Sequence, residues 1–118
     1  MSHTAKIDLK IKDFDVLKKV VKEMGLVMEE GTFRFFSSTE TGIGVYLPGW
    51  KYPVVIKKDG TAYYDNYRGN WGDIKELYKL KNKYAIEKTK KEARKKGYSI
   101  KEERTKDGKT RLILRKLD

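Results

Sequence analysis

Lys6-Ile7-Asp8-Leu9-Lys10-Ile11-Lys12 alternates strictly between charge and apolar bulk, and Asp13-Phe14 follows without a gap. Alternation of period two predicts a half-buried strand with Ile7, Leu9 and Ile11 on one face. Asp13 then reads as an N-cap. A helix is expected through Met24, with Phe14, Leu17, Val20, Val21 and Met24 as its apolar stripe. Gly25 suits the position just past the last turn, where a positive φ costs glycine least. The chain therefore opens β–α.

Working outward, the centre is rich in strand formers. Leu26–Glu29 and Thr32–Ser37 are expected to pair across a Glu30-Gly31 turn, with Phe33, Phe35 and Phe36 supplying bulk around Arg34. A Ser/Thr/Gly loop, Ser38–Gly42, leads into Ile43–Leu47, and Pro48-Gly49 is a turn signal. Tyr52–Lys57 and Thr61–Asp65 form a second hairpin around Asp59-Gly60. Pro53 belongs near the start or edge of its strand, because it has no N–H for the ladder.

The last third holds a long helix from Asp73, an N-cap, to about Lys96, closed by Gly97. On a 100° wheel Ile74, Tyr78, Ala85 and Thr89 share one side, with Leu77 and Tyr84 at its margin. Lys75, Lys79, Lys83, Lys90 and Arg94 fall on another side within an arc of about 100°. Glu76, Glu87 and Glu92 dilute that charge and supply i,i+4 partners. A C-terminal hairpin follows, Tyr98–Arg104 with Lys109–Leu117, turned at Lys106-Asp107-Gly108. A three-residue loop with Gly108 left-handed sets Ile100 opposite Leu114, Glu102 opposite Leu112 and Glu103 opposite Arg111, and is preferred to a two-residue turn, which sets Ile100 against Arg115. The expected fold class is α+β. One domain spans residues 1–118, with a mostly antiparallel sheet, one short N-terminal helix, one long basic helix and the closing hairpin.

Composition narrows the chemistry. The 118 residues contain no cysteine and one histidine, His3. That leaves no material for disulfides, thiolate nucleophiles or the usual structural zinc sites, and almost none for histidine acid/base work. No apolar run approaches the ~20 residues of a membrane span, and the start lacks a signal-peptide core. A cytoplasmic setting, of a cell or of a virus's host, is expected. Phosphate-binding loops, dinucleotide fingerprints and nucleophile elbows are absent. Glu29/Glu30 and Glu102/Glu103 are adjacent on strands, so each pair splits to opposite faces and does not converge on one bond. No cofactor, metal site or catalytic residue is expected.

Charge points the other way, towards a partner. Residues 1–74 carry 11 Lys+Arg against 10 Asp+Glu, whereas residues 75–118 carry 17 against 7. Such asymmetry suits a polyanion: nucleic acid, an acidic protein face or an anionic membrane. It also suits a merely solvated, lysine-rich surface of the thermophile kind. A membrane is the weaker partner, because the helix's other face is modestly apolar and needed for the core. The segment Tyr63-Tyr64-Asp65-Asn66-Tyr67-Arg68-Gly69-Asn70-Trp71 combines stacking rings, amides and a guanidinium just before the basic helix. That mixture can stack on bases or clamp a phosphate. The same rings can equally pack as core, with Trp71 stapling the helix start. Trp50 admits both readings as well.

The order Tyr84-Ala85, Ala93, Gly97-Tyr98-Ser99-Ile100, Glu102-Glu103, Asp107-Gly108 and Arg111-Leu112-Ile113-Leu114-Arg115 carries a resemblance, as does the opening Met1-Ser2-His3 with Leu17-Lys18-Lys19. The chain resembles small conserved proteins of algal chloroplast and cyanobacterial genomes catalogued as a domain of unknown function. The likeness spans roughly residues 1–25 and 75–117. It implies a compact α+β fold without known enzymatic activity, and an accessory role beside an AAA-type ATPase. Two expectations follow. The first is a non-enzymatic protein that binds RNA or single strands, with Lys75, Lys79, Lys83, Lys90, Arg94 and Arg68 on phosphates and Tyr67 and Trp71 stacking. The second is an accessory protein docking on an acidic partner, such as that ATPase, with sheet edges available to accept a partner strand. A metal-dependent hydrolase is a distant third, since it needs converging carboxylates.

Overall fold

A computed structural model describes residues 4–116, so His3 and Leu117 lie outside it. The fold is α+β with antiparallel sheets. Two compact units make it up, one ending at Tyr84 and one beginning at Ala85. The long helix α2 (Ile74–Lys95) starts in the first and ends in the second.

The first unit is a five-stranded antiparallel sheet, order β1-β5-β4-β3-β2, from β1 (Ala5–Asp8), β2 (Val27–Arg34), β3 (Thr39–Tyr46), β4 (Val54–Ile56) and β5 (Thr61–Tyr64). The opening alternation holds in burial but not in length. β1 stops at Asp8, whose Oδ1 accepts the Lys10 amide at 2.9 Å, and Lys10 takes a positive φ of 55°. Leu9 and Ile11 still end up in the core. Helix α1 (Phe14–Glu23) starts as anticipated, with Asp13 Oδ1 accepting from the Val16 amide at 3.2 Å. It ends at Met24, and Gly25 follows with φ +69°. Val16, Leu17, Val20 and Val21 are its buried face.

The first expected hairpin is overturned. β2 runs unbroken through Glu30-Gly31 and pairs over eight residues with β3, Val27 opposite Tyr46 and Arg34 opposite Thr39. Much of the supposed Ser38–Gly42 loop is therefore strand, and the turn falls at Phe35–Ser38, closed by Phe35 N–H to Ser38 O at 2.7 Å. The physical reason lies in the glycines. Gly31 stands opposite Gly42, and the Phe33 ring lies against Gly44, where a Cβ would sit 2.5 Å from it. Eight pairs with a ring seated on a bare backbone outweigh a local Glu-Gly turn preference.

The pairs Val45–Val54, Ile43–Ile56 and Ile56–Ala62 set one face of the sheet, which joins Leu17, Val20, Leu77, Leu80 and Tyr84 in the main core. The buried seam of α2 differs from the wheel expectation. Leu77 and Leu80 are buried with Tyr84, whereas Tyr78 is 46% exposed and Ala85 and Thr89 face solvent. Large side chains at spacings of three and four make the seam; Ala85 and Thr89 offer too little apolar volume to compete. The Tyr84 hydroxyl accepts from the Lys12 and Asp13 amides at 3.3 and 3.0 Å, fixing the start of α1.

The second unit holds the rest of α2 and the hairpin β6 (Tyr98–Arg104) and β7 (Thr110–Lys116). Its register matches the expected one: Ile100–Leu114, Glu102–Leu112 and Glu103–Arg111. Thr105 N–H bonds Lys109 O at 2.8 Å and Gly108 has φ +82°, as a three-residue loop requires.

Candidate nucleic-acid interface

The main core claims only one face of the five-stranded sheet. The pairs Lys6–Tyr63, Val55–Tyr63, Gly44–Val55 and Glu29–Gly44 define the other. Rings and lysines gather there. The ammonium groups of Lys6 and Lys57 lie 5.8 and 5.2 Å from the centre of the Tyr63 ring. Phe33 meets Tyr46 edge-on at 6.4 Å, and the Tyr46 hydroxyl donates to Glu29 at 2.5 Å. That bond to Glu29, then burial, raises the Tyr46 pKa, so the phenol stays protonated well beyond neutrality.

At one end of this unit the aromatic residues converge on Trp71. Tyr67 stacks on it with centroids 4.7 Å apart and planes 26° off parallel. Phe36 approaches at 5.6 Å, Tyr52 meets it edge-on at 5.8 Å, and Phe35 leans on Tyr52 at 5.9 Å. Lys51 Nζ lies 4.3 Å over the Trp71 ring, a cation–π contact that brings positive charge into the cluster. Lys51 N–H also bonds Trp71 O at 2.9 Å, tying the two segments together. The short turn Tyr67–Gly69 holds Tyr67 and Arg68 at φ 45° and 54°. Two successive non-glycine residues in that region store strain of about 1–3 kcal/mol each, a pattern that clusters at ligand clamps. Phe36 is 60% and Tyr67 40% exposed, and Arg68 is exposed beside them.

The two tryptophans thus divide the roles that the sequence left open. Trp50 is structural: Nε1 donates to Asp73 O at 3.0 Å, its ring meets Tyr64 at 5.9 Å, and Gly72 passes so close that a Cβ would fall 2.4 Å from the indole. Trp71 is the centre of the surface cluster. With Tyr67 on one face and Lys51 over the ring, it has little face left for a guest, and the more exposed rings of the cluster are those of Phe36 and Tyr67. Phe36 and Lys51 were not singled out by sequence reasoning. The misplaced turn put Phe36 inside a strand, although its place beside Ser37-Ser38 was a usable turn signal.

The basic helix residues divide between the units. In the first, Lys75 and Lys79 are exposed; Lys79 pairs with Glu76 at 3.0 Å, and Lys83 with Glu23 at 3.5 Å. Asp73 Oδ1 accepts the Lys75 amide at 2.9 Å, so the expected N-cap residue turns the chain into α2. In the second, Arg94 is exposed, whereas the Lys90 side chain is largely covered and bonded to Glu87 at 3.2 Å and to Glu102. Burial draws the Lys90 pKa down, but its bonds to Glu102 and Glu87 outweigh that and leave it raised. Lys90 is committed to holding β6 against α2.

Among the described residues no group of three or more His, Cys, Asp or Glu is placed to hold a metal ion. Among the described residues no helix is long and apolar enough to cross a membrane. No protein-family model, curated protein or solved structure matches the chain.

Proposed function

We propose that the protein is a non-enzymatic binder of single-stranded nucleic acid, RNA foremost, through the Trp71 cluster. The observation that carries this reading is the grouping of exposed Phe36 and Tyr67 with Lys51 and Arg68 on a strained turn. Exposed rings accept bases of any sequence, while Lys51, Arg68, Lys75 and Lys79 meet phosphates. Trp71 serves from beneath, holding Tyr67 in place. Lys83 adds long-range positive potential, and Lys90 contributes mainly to structure.

The test is titration of a fluorescent single-stranded RNA, with DNA in parallel, at about 50 and 200 mM salt. Four phosphate contacts lower affinity on the order of a hundredfold across that range. Replacing Tyr67 or Phe36 by Ala should weaken binding roughly 5- to 150-fold, the value of one lost base–ring stack. Absence of binding at low salt would sink the reading.

A second reading has its own support in the second unit. Ile113 is exposed on β7 on the face that alternation gives it in common with Arg111 and Arg115, a surface suited to an acidic protein partner. The family resemblance makes an AAA-type ATPase the partner to try. Stable co-purification that survives nuclease treatment and is lost on Ile113→Asp supports docking; indifference to that change counts against it.

A further inference from the structure

Asp65 is the anomaly of the first unit. It is 0% exposed, and neither carboxylate oxygen has a hydrogen-bond partner. Buried carboxylates normally accept several hydrogen bonds or a counter-charge, and an orphan costs several kcal/mol. Its position is informative. Asp65 lies one residue beyond the pairs Ala5–Tyr64 and two beyond Val55–Tyr63, so alternation puts it on the Tyr63 face, away from the main core. It directly precedes Asn66, whose carbonyl accepts from the Gly69 and Trp71 amides and so anchors the strained turn. The tip of the β2–β3 hairpin reaches the same end of the sheet: Ser38 Oγ and Thr4 Oγ1 are 2.7 Å apart, and Thr4 precedes Ala5, the partner of Tyr64. Phe35 and Phe36 on that tip touch Tyr52 and Trp71. A groove of about 360 Å³ follows the tip, lined by Arg34–Thr39.

We infer that Asp65 is a base-reading group, and that the base it selects is guanine. The inference rests on the single-strand reading above. A carboxylate with both oxygens free asks for two parallel N–H donors. Guanine alone among the four bases offers them side by side, at N1 and N2. Adenine and cytosine pair one amino group with a ring acceptor, and uracil flanks its single N–H with two carbonyls. Both carboxylate oxygens meet a donor only with guanine, and a mismatch sets a carbonyl or ring nitrogen against negative charge. Entry requires the hairpin tip to lift. The Thr4–Ser38 hydroxyl pair and the ring contacts of Phe35 and Phe36 hold it down, and these rings are then in place to cover the base.

The experiment has two arms. Tryptophan fluorescence is followed while GMP, AMP, CMP and UMP are titrated separately into the unmodified protein. Affinities are also measured for a U-only strand and the same strand carrying one G. The expected result is GMP binding roughly 5- to 150-fold tighter than the other three, with the same margin for the G-containing strand. In D65N the G-containing strand should bind no tighter than the U-only strand. Equal binding of all four nucleotides overturns the inference, as does a G preference that survives D65N. Strands that bind without base preference sink the guanine assignment and leave the single-strand reading standing, whereas no binding of any strand sinks both.

Discussion

The two units reach order by different physics. In the first, every residue of the main core lies at or before Tyr84, and two helical faces and a sheet close around Leu17, Val20, Val54 and Leu77. In the second, Ala93 is the buried apolar residue and Glu87 the buried charged one among those described. The β6–β7 hairpin keeps its register through its turn and its cross-strand pairs. A core tolerates a wrong local guess, because packing overrides it, as at Glu30-Gly31. A hairpin without a core has only local signals, so those signals are decisive and can be read directly.

That contrast can be broken experimentally, most sharply with paired deletions. Leu77→Ala empties a fully buried site and should cost about 2–5 kcal/mol in urea unfolding. Leu114→Ala, at a site 43% exposed, should cost under about 1 kcal/mol. Similar values for the two would mean that the hairpin has a core of its own.

A middle-sized effect tests how the first unit is held. Tyr84→Phe strips the acceptor from the Lys12 and Asp13 amides and should cost about 1–3 kcal/mol, read by the same unfolding experiment. Gly42→Ala forces a Cβ to within 2.5 Å of the Ile56 carbonyl oxygen, which is backbone and cannot rotate away. A cost of about 1–3 kcal/mol is expected. A neutral result would show that the long β2–β3 ladder does not need that close approach.

The smallest effect belongs to the hairpin. A bond from Arg111 holds the Glu103 carboxyl below the usual carboxylate range. A lowered folded pKa stabilises above the ordinary value, and that contribution is lost as pH falls through the lowered one. The protection factors of the β6 and β7 amides, which correct for the intrinsic slowing of exchange in acid, should therefore fall as pH drops, and Arg111→Ala should return Glu103 to an ordinary pKa by NMR titration. An unchanged Glu103 in that variant would remove the pair from the account of register.

Much of this was legible in the chain. Asp13, the spacing of Leu17, Val20 and Val21, and Gly25 specify α1 through capping and a 3.6-residue period. Lys106-Asp107-Gly108 specifies its turn, and with it the Ile100–Leu114 register. The Tyr67–Trp71 segment was recognisable as site-like from its mixture of rings, amide and guanidinium. What composition could not supply was which ring faces where. Trp50 and Trp71 are equivalent as letters, and only the fold sends one to Asp73 O and the other into the ring cluster beneath Lys51.

The remaining decisions were tertiary because they depend on partners distant in sequence. The eight-pair β2–β3 ladder needs Gly42 opposite Gly31 and a bare Gly44 against the Phe33 ring. Lys90 leaves the basic stripe because Glu102, twelve residues on, meets it beside Glu87. Asp65 reads in sequence as the end of a strand and as one member of the ring-rich Tyr63–Trp71 segment. Only the tertiary structure leaves it buried with neither carboxylate oxygen bonded. Local propensity and period act over a few residues and were determined by the sequence alone. Register, side-chain burial and the orphaned carboxylate follow from how non-local segments compete for the same space.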